Sequence, residues 1–201
     1  VIRILLAEDQ KLVSSALARL LELEPGLTVV SQVGTGPEIV PAALRTRPDI
    51  AVLDIELPGC SGLDAAGELR RQLPACKIMM ITMFARPGYL QRAVETGATG
   101  FMVKDRPVDE LAAAIKQVVA GETVLDAALA AAAMRVGPST LTQRERDVLT
   151  AGADGASVAA IAKAVHLSEK TVRNYLSAAI QKTGAQNRFE AAKTARHNGW
   201  L

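Results

Sequence analysis

The sequence predicts an α/β domain on a five-stranded, parallel, doubly wound sheet, followed by a small all-α domain of four helices. Three observations predict it. Short apolar runs alternate with longer amphipathic segments over residues 1–121, the runs are apolar on consecutive rather than alternate residues, and after Thr140 only helical periodicity remains. Consecutive apolar residues mark strands buried on both faces, as in a parallel sheet covered by helices. Five such βα units make an open, doubly wound sheet.

Ile2–Ala7 reads as the first strand, and Lys11–Leu23 as a helix closed by Pro25-Gly26. Thr28–Val33 is a second strand, and Pro37–Arg45 a helix that stops before Pro48, where the proline ring disfavours helical backbone in the preceding residue. Ile50–Leu53 is a third strand, followed by a helix at Leu63–Leu73 ended by Pro74. Lys77–Ile81 and Gly100–Val103 complete the strands, with helices at Tyr89–Glu95 and Val108–Ala120. Gly121 ends the last of these. Residues 122–139 then read as a linker with an alanine-rich centre, Ala127–Met134, of helical propensity, punctuated by Gly137-Pro138-Ser139. Residues 140–201 form the second domain, with helices at Gln143–Ala151, Ser157–Val165, Ser168–Thr183 and Arg188–His197.

The bulk properties narrow the function classes. Of 201 residues 49% are apolar and only six are aromatic, so the cores are mainly aliphatic. Residues 1–121 carry 13 Lys+Arg against 14 Asp+Glu, a net of −1, while residues 140–201 carry 9 against 5, a net of +4. A basic second domain behind a near-neutral first suggests that the second one meets a polyanion. Cys60 and Cys76 form no CxxC motif and no disulfide framework, which fits free thiols in a reducing compartment. No run approaches the ~18 consecutive apolar residues of a membrane span. The expectation is a cytoplasmic protein without membrane insertion.

Chemistry gathers at the strand ends. Strand one ends in Glu8-Asp9, strand three in Asp54, strand four in Thr82 and strand five in Lys104. In a parallel sheet these ends share one rim, where ligands bind. Three clustered carboxylates repel one another unless a cation shares them, and hard oxygen ligands suit Mg²⁺. Such an ion and Lys104 neutralise the oxygens of an incoming phosphoryl group while Asp54 attacks as nucleophile to give an acyl phosphate. Thr82 then donates a hydrogen bond to the new phosphoryl oxygens. Each residue alone has a bland reading, a turn aspartate or a solvated lysine; their joint placement is what is specific.

Residues 1–121 resemble the CheY-like receiver domains of two-component response regulators, of flavodoxin-like fold. Ala7-Glu8-Asp9-Gln10, Asp54-Ile55-Glu56-Leu57-Pro58-Gly59, Thr82 and Lys104-Asp105 carry the likeness. The resemblance implies that Glu8, Asp9, Asp54 and the backbone carbonyl of Glu56 surround Mg²⁺. It also implies that Phe101 is the switch partner of Thr82, turning inward when Thr82 moves toward the phosphoryl group. The domain then catalyses only its own phosphorylation and dephosphorylation. Three departures stand out: Glu8 where aspartate is commoner, Phe101 without a tyrosine hydroxyl, and Met83 in place of a small residue after Thr82.

In the second domain, Ser157–Thr183 reads as two helices meeting at a tight turn at His166-Leu167, with Ala162 small where they cross and Val172 locking them together. Ser168 caps the second helix. That helix presents Lys170, Arg173, Asn174 and Ser177 at three- and four-residue spacing on one outward face. Arg can grip guanine and Asn adenine in bidentate fashion, while Lys and Thr serve phosphates. Leu141-Thr142-Gln143-Arg144-Glu145, Leu167-Ser168-Glu169-Lys170-Thr171-Val172-Arg173-Asn174 and Arg188-Phe189-Glu190-Ala191-Ala192 resemble the LuxR-type helix-turn-helix domain. The resemblance implies that Arg173, Asn174 and Ser177 read bases, that Lys170, Thr171 and Lys182 position the phosphate backbone, and that Arg188–His197 forms dimers.

A receiver joined to this domain resembles the NarL/FixJ type of response regulator, and Phe84-Ala85-Arg86-Pro87-Gly88-Tyr89 with Val172-Arg173-Asn174-Tyr175 resembles its DesR-like branch. That resemblance implies a sensor histidine kinase as phosphoryl donor, a homodimer on phosphorylation, double-stranded DNA and RNA polymerase as partners, and membrane-lipid desaturation genes as targets. Two other readings stay open. A phosphatase of the haloacid dehalogenase kind also uses an aspartate nucleophile and Mg²⁺, but needs a second aspartate where Glu56 stands. A regulator that binds DNA without phosphorylation would leave the strand-end residues unexplained.

Overall fold

The computed structural model describes residues 1–83, 86–126, 130–131 and 139–201. They fall into two compact units, residues 1–85 with 90–131 and residues 86–89 with 132–201.

In the first unit the strands are β1 (Ile2–Ala7), β2 (Leu27–Val33), β3 (Ile50–Asp54), β4 (Lys77–Thr82), β5 (Gly100–Val103) and β6 (Val124–Leu125). The helices are α1 (Lys11–Leu23), α2 (Gly36–Thr46), α3 (Gly62–Gln72), α4 (Pro87–Glu95), of which residues 90–95 fall in this unit, and α5 (Val108–Val119). The sheet order is β2-β1-β3-β4-β5-β6, and every pairing is parallel. Five strands match the expected sheet. The two-residue β6 extends it beyond β5, pairing Gly100 with Val124 and Phe101 with Leu125. It lies inside the segment read from sequence as linker, where two apolar residues were too short a run to announce a strand.

The consecutive-apolar reading has a direct physical counterpart: Ile4–Ala7 and all of β3 are buried on both sheet faces. Leu21, Ile115 and Val118 of α1 and α5 close one face over Ile4, Leu6, Val52 and Ile81. Strand order reverses at β1, which lies between β2 and β3. That reversal opens a crevice at the carboxyl ends of β1 and β3, where open α/β sheets place ligands.

The second unit holds α6 (Gln143–Gly152), α7 (Val158–Ala164), α8 (Glu169–Thr183) and α9 (Arg188–His197), the four helices expected. Thr142, Ser157, Ser168 and Asn187 each cap a helix by accepting a hydrogen bond from a backbone N–H of its first turn. The core is Val148, Leu149, Ile161, Val172 and Leu176 with five alanines, closed by Trp200. His166 makes the α7–α8 turn at φ 55°. The alanine-rich helix expected at Ala127–Met134 lies outside the described residues except for Ala130 and Ala131, both helical. Phe84, Ala85, Gly137 and Pro138 also lie outside them.

Candidate functional site

Strand register builds the rim. Ala7 pairs with Leu53, Asp54 with Ile81, and Thr82 with Val103, so Glu8, Asp54, Thr82 and Lys104 arrive together from four strands. Glu8, Asp54 and Thr82 are buried, and Asp9 is exposed. Lys104 Nζ donates to Asp54 Oδ2 at 2.7 Å and to Glu8 Oε2 at 2.5 Å. Asp54 Oδ1 accepts from the Glu56 amide at 3.3 Å, and Glu8 Oε1 accepts from the Gln10 amide at 3.1 Å. Both buried carboxylates are therefore oriented by their own following loops.

Electrostatics follow from this geometry. Burial pushes the Asp54 carboxyl above its ordinary range; the Lys104 ammonium opposes that shift, and the Glu8 charge adds to it. Burial works against the Lys104 ammonium, but its bonds to Asp54 and Glu8 prevail and hold its pKa above the ordinary lysine value. One oxygen from each of Glu8, Asp9 and Asp54 lies within 4.8 Å of the others. An all-oxygen set with one exposed member leaves room for water and a phosphoryl oxygen, and this fits Mg²⁺. The three form the acidic cluster typical of a Mg²⁺-coordinating receiver site.

The β3–α3 connection holds Asp54 in place. The Gly62 amide donates to Ile55 O at 2.9 Å, and a Cβ on Gly62 would lie 1.9 Å from the Asp54 carbonyl oxygen. Ser61 Oγ caps α3 by accepting from the Asp64 amide. Phe101 faces inward, 1% exposed, on β5, the strand that leads into Lys104. Met83 is exposed and, with Lys104, Val13 and Leu17, lines a cavity of about 240 Å³. Burial drives the Cys76 thiol up to about 12, so this group is inert.

On α8, Lys170, Arg173, Asn174 and Ser177 are exposed along one face, while Val172, Leu176 and Ala179 face the core. Thr171 is half-buried, its hydroxyl 2.7 Å from Ser168 Oγ. Lys182 stands apart at the other end of α8. Its ammonium donates to both oxygens of Glu145 at 2.8 Å. Glu145 is buried and also accepts from the Thr142 amide at 2.7 Å, so one carboxylate ties the start of α6 to the end of α8. Sequence reasoning missed this tether, although Thr142-x-x-Glu145 has the spacing of a capping box. It also missed Gly62, whose role shows only once α3 is seen against Asp54.

No helix among the described residues is long and apolar enough to cross a membrane. Residues 4–116 match the response regulator receiver domain family, and residues 139–195 match the bacterial regulatory proteins of the luxR family. The chain is similar to the Bacillus subtilis transcriptional regulatory protein YvfU, 43% identical over 200 residues with 100% of both chains covered. It is also similar to the transcriptional regulatory protein DesR of that organism, 40% identical over 200 residues, covering 100% of this chain and 99% of DesR. A LuxR-family two-component response regulator from Aurantimonas sp. SI85-9A1 superposes with a TM-score of 0.64 at 32% identity, over 68% of this chain and 99% of that one. RcsB of Salmonella typhimurium, 20% identical with a TM-score of 0.75 over 98% of both chains, shares the fold. Receiver, acidic cluster and helix-turn-helix domain agree: the chain belongs to the NarL/FixJ family of two-component response regulators, in which receiver phosphorylation drives DNA binding that regulates transcription.

Proposed function

We propose that a sensor histidine kinase phosphorylates Asp54, and that the phosphorylated chain dimerises and binds a two-half-site operator in double-stranded DNA. The observation that carries this reading is the contact of Lys104 with both Asp54 and Glu8 beside an open oxygen cluster. An Asp54 oxygen attacks the phosphorus of a phosphohistidine, the P–N bond breaks, and the released imidazole regains a proton. Asp54 is the phosphoacceptor, Lys104 follows the charge onto the phosphoryl oxygens, and Thr82 with Phe101 reports the change by repacking. Glu8, Asp9, Asp54 and the Glu56 carbonyl hold Mg²⁺, which supplies charge neutralisation when bound.

On α8, Arg173, Asn174 and Ser177 read base edges, and Lys170, Thr171 and Lys182 serve the phosphate backbone. The net +4 of residues 140–201 supports this assignment. Phe189 is an exposed apolar side chain on α9, and this supports dimerisation through that helix. The domains are taken as residues 1–121 and 140–201, joined by 122–139. Similarity to DesR over the whole of this chain supports membrane-lipid desaturation genes as the first regulon to test, with RNA polymerase as a partner at the promoter whether the effect is activation or repression.

Incubation with a radiolabelled phosphoryl donor tests the chemistry. One phosphoryl group per chain, lost in Asp54→Asn, is expected. Multiple turnover of small phosphate esters would instead support the phosphatase reading.

A further inference from the structure

The outward face of α8 carries one acid among its bases, and the structure shows what that acid touches. Glu169 is the first residue of the helix, and its Oε2 accepts from Arg173 Nη2 at 2.7 Å, one turn further on. Both side chains are about half exposed, on the face that also presents Lys170, Asn174 and Ser177. A carboxylate beside phosphates costs affinity, so its presence on this face calls for a reason.

Helix capping is not the reason. Acids in the first turns of α6 and α9 reach backward onto backbone amides: Glu145 takes the Thr142 amide, and Glu190 takes the Gln186 amide at 2.7 Å. The start of α8 is already capped by Ser168 Oγ, which accepts from the Thr171 amide at 3.1 Å. Glu169 reaches forward instead, to the guanidinium.

We infer that Glu169 is a specificity-determining residue that acts by positioning Arg173 for a guanine edge and penalising every other base there. This rests on the reading of α8 as the DNA-contacting helix. A long, flexible arginine gives up rotamer freedom to read a base, and a partner on its own helix gives up part of that freedom beforehand. On a matching site the guanidinium bridges guanine and Glu169, so the carboxylate is satisfied. On a mismatched site the Arg173–Glu169 pair meets no guanine edge, the carboxylate is set against base acceptors with no bridging contact in return, and discrimination grows from the repulsive side. Glu169 touches no phosphate in this scheme.

The test is selection of binding sites from a randomised duplex pool by the full-length protein carrying a phosphoryl analogue, for wild type, Glu169→Ala, Glu169→Gln and Arg173→Ala. Wild type and Glu169→Ala should enrich the same site, but Glu169→Ala should weaken the preference at one base pair by roughly three- to tenfold. Arg173→Ala should abolish the preference at that same base pair. Glu169→Gln keeps an oxygen acceptor for Arg173 and should hold more of the preference than Ala while binding unselected duplex more tightly than wild type. The salt dependence of binding should not flatten in either Glu169 variant. A merely structural role for Glu169 would move the unfolding midpoint and leave the base preferences alone. Unchanged preferences in Glu169→Ala, with Arg173→Ala altered, overturn this inference and leave the DNA-binding reading standing. If wild type enriches no sequence, both fall.

Discussion

At residue 62 the lack of room for a single methyl group fixes where Asp54 sits. Gly62 opens α3 against the carbonyl of Asp54, and a Cβ there would overlap that oxygen at 1.9 Å. Gly62→Ala should destabilise the first unit by about 1–3 kcal/mol, the usual range for overpacking. It should also slow phosphorylation of Asp54 by shifting the β3–α3 connection; chemical denaturation and the labelling rate measure the two effects. Met83 follows Thr82 directly and is exposed beside Lys104. Met83→Ala should speed both phosphorylation and hydrolysis of the acyl phosphate by opening the rim. Unchanged rates in both directions would rule out a gating role. Glu8, Asp9, Asp54, Thr82 and Lys104 were legible in the sequence because parallel strands deliver their carboxyl ends to one edge whatever their exact register. Gly62 was not legible, because the reason for a glycine there is an atom eight residues earlier in the chain that becomes a neighbour only after folding.

Among the elements, α6 and α8 show how a buried charge is made tolerable. Glu145 accepts two hydrogen bonds from Lys182 and closes a capping box with Thr142. Burial acts to raise its pKa, but the Lys182 and Thr142 hydrogen bonds outweigh burial and hold it below the ordinary 4.5. A carboxyl with a depressed folded-state pKa contributes stability above its unfolded value and loses it as pH falls through the folded one. The second unit should therefore weaken below about pH 4.5, and Glu145→Gln should be less stable at neutral pH with a flatter acid dependence. Trp200 is the sole tryptophan of the chain and packs in this unit's core, so its emission during denaturation isolates the effect. The α7–α8 turn carries a second element-level cost. His166 sits at φ 55°, where a β-branched side chain is strained. His166→Val should lower the stability of the same unit by about 1–2 kcal/mol, read by the same emission. Helices and strands were legible at this scale from periodicity and from Pro and Gly stops. β6 was not, because a two-residue strand has no period of its own and exists only through its pairing with β5.

The whole chain joins two electrostatic regimes. A first domain of net −1 buries the Asp54 and Glu8 carboxylates with the Lys104 ammonium bonded to both, and a second domain of net +4 turns a basic helix face outward. Phosphorylation replaces the Asp54 carboxylate by an acyl phosphate and adds about one negative charge at one rim, and we propose that this biases a two-state element through Thr82 and Phe101. Genome-wide mapping of DNA occupancy, with and without a phosphoryl analogue on Asp54, tests this coupling most directly. Sparse occupancy is expected without the analogue, a defined set of sites with it, and no response to it in Asp54→Asn. Equal occupancy of the same sites by wild type and Asp54→Asn, whether or not the analogue is present, would contradict it.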